Sequence, residues 1–206
     1  MAWNYYWTDG VPGWTTYGPE QCENAQMIAD FLSSYRNIDI KKGAAVGIIA
    51  NFTHESWLNP GQWELGSGMN PGAGFGLGQW TPSTKYSNWL GSTDPDEMSD
   101  GDNQMDFLIT NSPNQWSTYY VNMSTGYSSY YNVYVPILAT LDDYLRSAAS
   151  YEDLTTAWMV YWERPAAGTA ALARRLEYAE FWDSYIDWNK FPIWLICKAA
   201  QEWRIL

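Results

Sequence analysis

Apolar positions recur at helical spacing in several stretches of the chain. Pro19 stands at the first position of a helix, with Glu20 and Glu23 in its opening turn, and Ala25, Ile28, Ala29 and Leu32 form a stripe that ends before Asn37. A second helix is predicted from about Lys41 to Trp57, its stripe being Ala45, Ile48, Ile49 and Phe52, and Asn59-Pro60 closes it. Ser99-Asp100-Gly101-Asp102 reads as a capping box that opens a third, with Met105, Leu108 and Ile109 on its buried face. Ser150 with Asp153 caps a fourth, in which Leu154, Ala157, Trp158, Tyr161 and Trp162 recur until Pro165 stops the run. Thr169 caps a last helix to about Asn189, with Leu172, Leu176, Ala179 and Trp182 inward.

The stretches between these helices differ from one another. Residues 1–18 are a Trp/Tyr/Gly/Pro arm without period, and 190–206 form an apolar tail, leaving 19–189 as the folded domain. Residues 61–78 hold seven of the 16 glycines, interleaved with Trp63, Leu65, Met69, Phe75 and Leu77, which predicts a small irregular hairpin. Residues 117–134 carry six tyrosines among Ser, Asn and Gly and read as a long exposed loop. The expected fold is therefore an α+β domain, mostly α, with one glycine-rich hairpin.

With 206 residues, 46% apolar and 17% charged, the chain can bury a sizeable core. A formal charge of −12 repels phosphate backbones and anionic lipids, so nucleic acid is not an expected partner. Phe191 to Cys197, the longest apolar run, is far shorter than the roughly 20 residues that span a bilayer. The first residues lack a basic region followed by an apolar one, so secretion by a signal peptide is not expected. The 16 tyrosines and 14 tryptophans offer flat faces with a polar handle, suited to carbohydrate or to a protein partner.

Most catalytic and metal chemistries fail on residue type. With Asp96 as first ligand of a calcium loop, Asp100 and Gly101 fall correctly, but Met98 and Phe107 occupy the third and twelfth positions. Zinc is not expected, because His54 is the one histidine and Cys22 and Cys197 form no CxxC; they stand as one disulfide pair or two buried thiols. Neither cysteine sits in a nucleophile motif with His54, and Ser67 in Leu65-Gly66-Ser67-Gly68-Met69 is not a G-x-S-x-G elbow. No cofactor or metal is expected.

Glu55 is the informative residue. At 100° per residue it lies about 20° from Ile48 and about 60° from Phe52, so the helix carries it on its apolar face. Lost solvation and the negative end of the helix dipole both raise its pKa, as protonation of a glycosidic leaving oxygen requires. A half-buried Glu paired with an Arg or a backbone amide is the plain structural alternative. The hairpin follows directly, which makes a cleft beside the carboxyl. In Gly74-Phe75-Gly76-Leu77-Gly78-Gln79-Trp80-Thr81 the glycines permit close approach of a ligand, Phe75 and Trp80 can stack on sugar rings, and Gln79 can hold a hydroxyl or a water.

Several motifs in order resemble the phage tail lysozyme domains of the lysozyme-like superfamily over roughly Pro19 to Asp183. They are Asn24-Ala25, His54-Glu55-Ser56, Asn59-Pro60-Gly61-Gln62-Trp63, Gly74 through Pro82, Gln104-Met105-Asp106-Phe107-Leu108 and Trp162-Glu163-Arg164-Pro165. The resemblance implies a lysozyme-like fold and a virion-associated peptidoglycan hydrolase of muramidase type at a tail tip, aiding delivery of the genome among other tail proteins. It maps the general acid to Glu55 and the substrate-lining hairpin to Phe75 through Trp80, including Gly76. Glu64, at the start of the hairpin, is the candidate second carboxylate. Gln79, a hydroxyl or the sugar's own 6-hydroxyl are the alternatives, the last giving lytic transglycosylation. Trp63, Phe75, Trp80 and the tyrosines of 117–134 are the candidate sugar-binding surface, the tyrosines serving equally as a contact with a virion protein. Glu163-Arg164-Pro165 reads first as an ion pair at a helix end, and His54, about 100° from Glu55, as a scaffold or cleft-rim residue. A tail-structural or wall-binding module without activity is the rival class.

Overall fold

The computed structural model describes residues 2–14, 17–35, 39–120, 125–165 and 169–188. The predicted tail at 190–206, with Cys197 and its pairing, lies outside them. Helices α1 (Pro19–Ser34) and α2 (Lys42–Ser56) follow the periodicity, and short helices α3 (Thr84–Leu90) and α4 (Pro95–Met98) lead into α5 (Gly101–Tyr120). A two-stranded antiparallel sheet, β1 (Tyr127–Ser128) and β2 (Val133–Tyr134), pairs Tyr127 with Tyr134 and Ser128 with Val133. Then come α6 (Leu141–Arg146), α7 (Tyr151–Trp158), a π-helical turn (Met159–Glu163) and α8 (Thr169–Tyr185).

Helix α2 is the axis of the fold. Every residue from Ala44 to Thr53 is buried, so it is not the half-wet helix its stripe suggests but one enclosed on all sides by α1, α7 and α8. Small residues make this possible. A Cβ on Gly47 would lie 2.5 Å from the Tyr144 hydroxyl and 3.0 Å from the Leu154 backbone. The close approach is sealed by polar ties, Tyr144 Oη donating to Ala44 O at 3.0 Å and Asn51 Nδ2 to Thr155 O at 3.1 Å.

The acidic run around α4 and α5 serves helix starts. Asp94 accepts from the Asp96 and Glu97 amides, and Asp100, rather than Ser99, accepts from the Asp102 amide at 2.9 Å. Ser150 caps α7 as its sequence implies. The 117–134 segment corrects the expectation of a continuous loop: it holds the last turn of α5 and the small β-hairpin, with Tyr131 buried and Tyr130 and Tyr134 exposed. The period was unreadable there because two-residue strands carry almost no alternation.

The glycine-rich segment is a hairpin closed by one antiparallel bridge, Trp63 with Phe75. Trp57 and Leu58 turn left-handed (φ 58° and 60°) to end α2. Gln104 of α5 then holds the loop from inside: its Oε1 accepts from Leu77 N at 2.8 Å and its Nε2 donates to Pro60 O at 2.6 Å and Met98 O at 2.7 Å. The N-terminal arm lies along this loop, Thr8 bridging Gln62 and Asn59 exchanging hydrogen bonds with the Tyr6 backbone. We expect Gly47→Ala to lower stability by about 1–3 kcal/mol despite alanine's helix preference, because its methyl strikes Tyr144 and the α7 backbone. Urea unfolding should show a lower midpoint at unchanged m-value.

Candidate active site

Glu55 sits in the last turn of α2, where the chain leaves the helix for the glycine-rich loop. Facing it is Arg175 of α8, fully buried, whose Nη2 pairs with Glu55 Oε1 and whose Nη1 donates to Ala171 O at 3.2 Å. Arg175 belongs to the inward stripe Ala171, Arg175, Tyr178, Ala179, Trp182; this corrects the expected stripe, since Leu172 and Leu176 are only half-buried. The structural alternative of an Arg partner and the cleft carboxyl thus hold together, because 22% of the Glu55 side chain remains exposed. Burial holds its carboxyl above the usual range, and the Arg175 charge and hydrogen bond oppose that rise without cancelling it.

That exposed part opens into a cleft of about 1370 Å³. One wall is the hairpin, through Glu64, Gly74, Gly78, Gln79, Trp80 and Thr81; the other is α5, through Asn111, Ser112 and Gln115, with Trp162 and Glu163 between them. Strand alternation decides which hairpin residues reach it. Trp63 and Phe75 form the inward cross-strand pair, rings 4.9 Å apart and packed on Trp7, whereas Glu64 and Gly74 lie on the next, outward pair. Glu55, Glu64, Gln79 and Trp80 therefore share the cleft, while Trp63, Phe75 and Gly76 do not line it. Phe75 has no exposed surface, so its expected place as a sugar-stacking ring is corrected to a core one.

The glycines also serve a different need from the expected one. A Cβ on Gly76 would lie 2.6 Å from Gln104 Oε1, and one on Gly78 would lie 2.7 Å from the Trp162 ring. They admit the protein's own side chains. Trp162 gains its place beneath Gly78, donates to Ser112 Oγ at 2.8 Å and stacks on Trp158 at 5.1 Å. Gln79, at φ 47°, donates its amide to Gln62 O and Gly76 O, both at 3.0 Å, so its nitrogen holds the loop. Glu64 is exposed and accepts from Gly74 N at 3.0 Å.

The sequence reads Glu163 as an ion-pair residue at a helix end, and the structure puts it on the cleft wall. Its Oε1 accepts from Trp158 Nε1 at 3.2 Å. Burial and the nearby Glu55 carboxyl push its pKa well above the usual range, against the pull of Arg175. The π-helical turn hid the place of this residue, because five residues at wider spacing break the period on which face assignments rest. His54 packs near the Tyr178 ring, and burial together with Arg175 and Arg174 lowers its pKa to about 4. Among the described residues no group of His, Cys, Asp and Glu could hold a metal ion. Cys22 is buried and its Sγ donates to Tyr17 O at 3.5 Å.

A carboxyl whose pKa is raised by burial, at the edge of an open, aromatic-walled cleft, is equipment that glycoside cleavage can use. The sequence profile of the phage tail lysozyme family matches residues 23–186, and the chain belongs to that family. Its lysozyme-like fold is α+β and mostly helical. Morphogenesis protein 1 of Bacillus phage B103 is 30% identical over 167 residues, covering 79% of this chain and 39% of the phage protein. The chain thus spans well under half the length of that relative.

The depressed His54 pKa makes a stability prediction. The unfolded chain takes up the proton near pH 6.5 and the folded chain only near 4, so folding stability falls as the pH drops through that interval. After allowance for its partial exposure we expect about 2 kcal/mol of such loss from this residue. His54→Gln should remove it, seen as a smaller difference between chemical denaturation at pH 7 and at pH 4.

Proposed function

We propose that the chain is a virion-associated peptidoglycan hydrolase that cuts the β-1,4 glycosidic bond of the glycan strand, with Glu55 as general acid. The observation that carries this reading is the exposed edge of an otherwise buried carboxyl, held above its ordinary pKa where the cleft begins. The sugar lies along the hairpin and α5 walls, with Trp80 and Trp162 as its aromatic contacts. Glu55 gives its proton to the bridging oxygen as the bond breaks, and Glu64 or a water held near Gln79 completes the displacement. The muramidase outcome is the primary reading. Release of anhydro-sugar ends would instead mark lytic transglycosylation.

The family and the relative's name support placing this activity in a phage particle, on a tail, beside other tail proteins. The arm at 1–18, the catalytic domain at 19–189 and the tail at 190–206 are the proposed division of the chain. Among the described residues no helix is long and apolar enough to cross a membrane.

Glu55→Gln should lower turbidity clearing of cell walls at least about 100-fold. It also removes the carboxylate that Arg175 pairs with in the structure, so we expect a stability loss of about 1–3 kcal/mol, and the assay is run where circular dichroism shows the variant folded. Unchanged clearing by folded E55Q would overturn the acid assignment, and retained clearing loss with intact wall affinity separates an enzyme from a binding module. Mass spectrometry of the released muropeptides reports reducing against anhydro ends. Because the chain carries a charge of −12, its attraction to walls bearing anionic polymers is not electrostatic, and moderate salt should leave activity unchanged or raise it.

A further inference from the structure

Glu163 is a half-buried carboxyl on the cleft wall that the reaction as proposed leaves unused. The π-helical turn Met159–Glu163 carries it there and ends at Arg164, φ 51°, while the Trp158 indole anchors one of its oxygens at 3.2 Å. The Arg175 charge acts on both this carboxyl and Glu55. The other ionisable groups around the pair are His54 on α2, Arg174 and Tyr178 on α8, Arg164 next in the chain, and Tyr131, whose hydroxyl donates to Pro165 O at 2.8 Å. Among the described residues the α5 wall, Phe107, Asn111, Ser112 and Gln115, presents no ionisable group to the cleft, and the hairpin side adds Glu64 and Lys85.

Two carboxylates and one guanidinium carry a net charge of −1, and one proton makes the set neutral. A site taken out of water favours the neutral set. In the structure Arg175 Nη2 is on Glu55, which leaves the proton to Glu163. Arg175 Nε is buried with no hydrogen-bond partner, a donor not yet used.

We infer that Glu163 is a positioning residue that stores the proton Glu55 delivers: while Arg175 holds Glu55 the proton rests on Glu163, and when the guanidinium moves onto Glu163 that proton passes to Glu55. Only O–H bonds change in the exchange. One carboxylic acid becomes a carboxylate, the other carboxylate becomes an acid, and the guanidinium keeps its charge throughout. The inference rests on Glu55 being the general acid.

Glu163→Gln keeps the shape of the side chain and an oxygen for the Trp158 indole but cannot give up a proton. Glu55 then faces Arg175 alone and ionises more easily. The alkaline limb of the pH profile of kcat on cell walls should move to lower pH by on the order of one unit, with activity recovered on the acid side. A purely structural role would not move that limb. Carbon-13 NMR of the glutamate carboxyls should find one of the pair protonated at pH 7 in the unmodified protein. An E163Q profile that superimposes on the original, or NMR showing both carboxyls ionised at pH 7, overturns the inference. If E163Q does not fold, the carboxyl titration of the unmodified protein decides. Activity in E55Q would overturn the acid assignment itself, whereas an inactive E55Q beside an unshifted E163Q removes only the proton store.

Discussion

A fully buried guanidinium has to have a counter-charge, and in this protein Glu55 provides it. Arg175 leaves water completely, and stripping its partner away would leave an uncompensated charge in the core, a penalty of a few kcal/mol in comparable sites. The pairing therefore fixes how the end of α2 meets α8. It also sets two demands on one carboxyl: the guanidinium favours its ionised form and the surroundings favour its neutral form. Burial wins in Glu55, and a second carboxyl, Glu163, draws on the same positive charge. Fold stability and the proposed acid chemistry thus meet at a single side chain.

The cleft beside that pair is made by packing rather than by a flexible loop. Gln104 reaches from α5 into the hairpin and ties Leu77, Pro60 and Met98 to one buried amide. Gly76 leaves room for it, and Gly78 leaves room for Trp162. Ser56 adds a tie from α2 to Leu77 O at 2.9 Å. The hairpin wall is consequently held against both helices that flank the carboxyl, and positioning of this kind is what an acid needs if its proton is to meet one oxygen of a bound sugar.

Helix positions were legible because their signals are local. Pro19, Ser150 and the stop at Asn59-Pro60 act within one turn of themselves, and α1, α2 and α7 lie close to where these residues put them. Glu55 was legible for the same reason: a carboxylate at helical spacing with Ile48 and Phe52 has to leave water. The glycine-rich hairpin declared itself by composition. Yet its division into inward and outward residues depends on which face of one bridge meets the core, so Trp63 and Phe75 read as readily for sugar binding as for packing.

What the chain determined by itself is the set of helices, the carboxyl at the end of α2 and the loop beside it, since caps, periodicity and glycine spacing act between near neighbours. The tertiary structure alone decided that Arg175 meets Glu55, that Trp162 and Glu163 come round to the same cleft, and that Gly76 and Gly78 make room for protein rather than ligand. These are contacts between residues up to 120 positions apart, brought together by the burial of α2 on all sides and by a π-helical turn that shifts a helix face. No pattern within a few residues of each other encodes such a meeting.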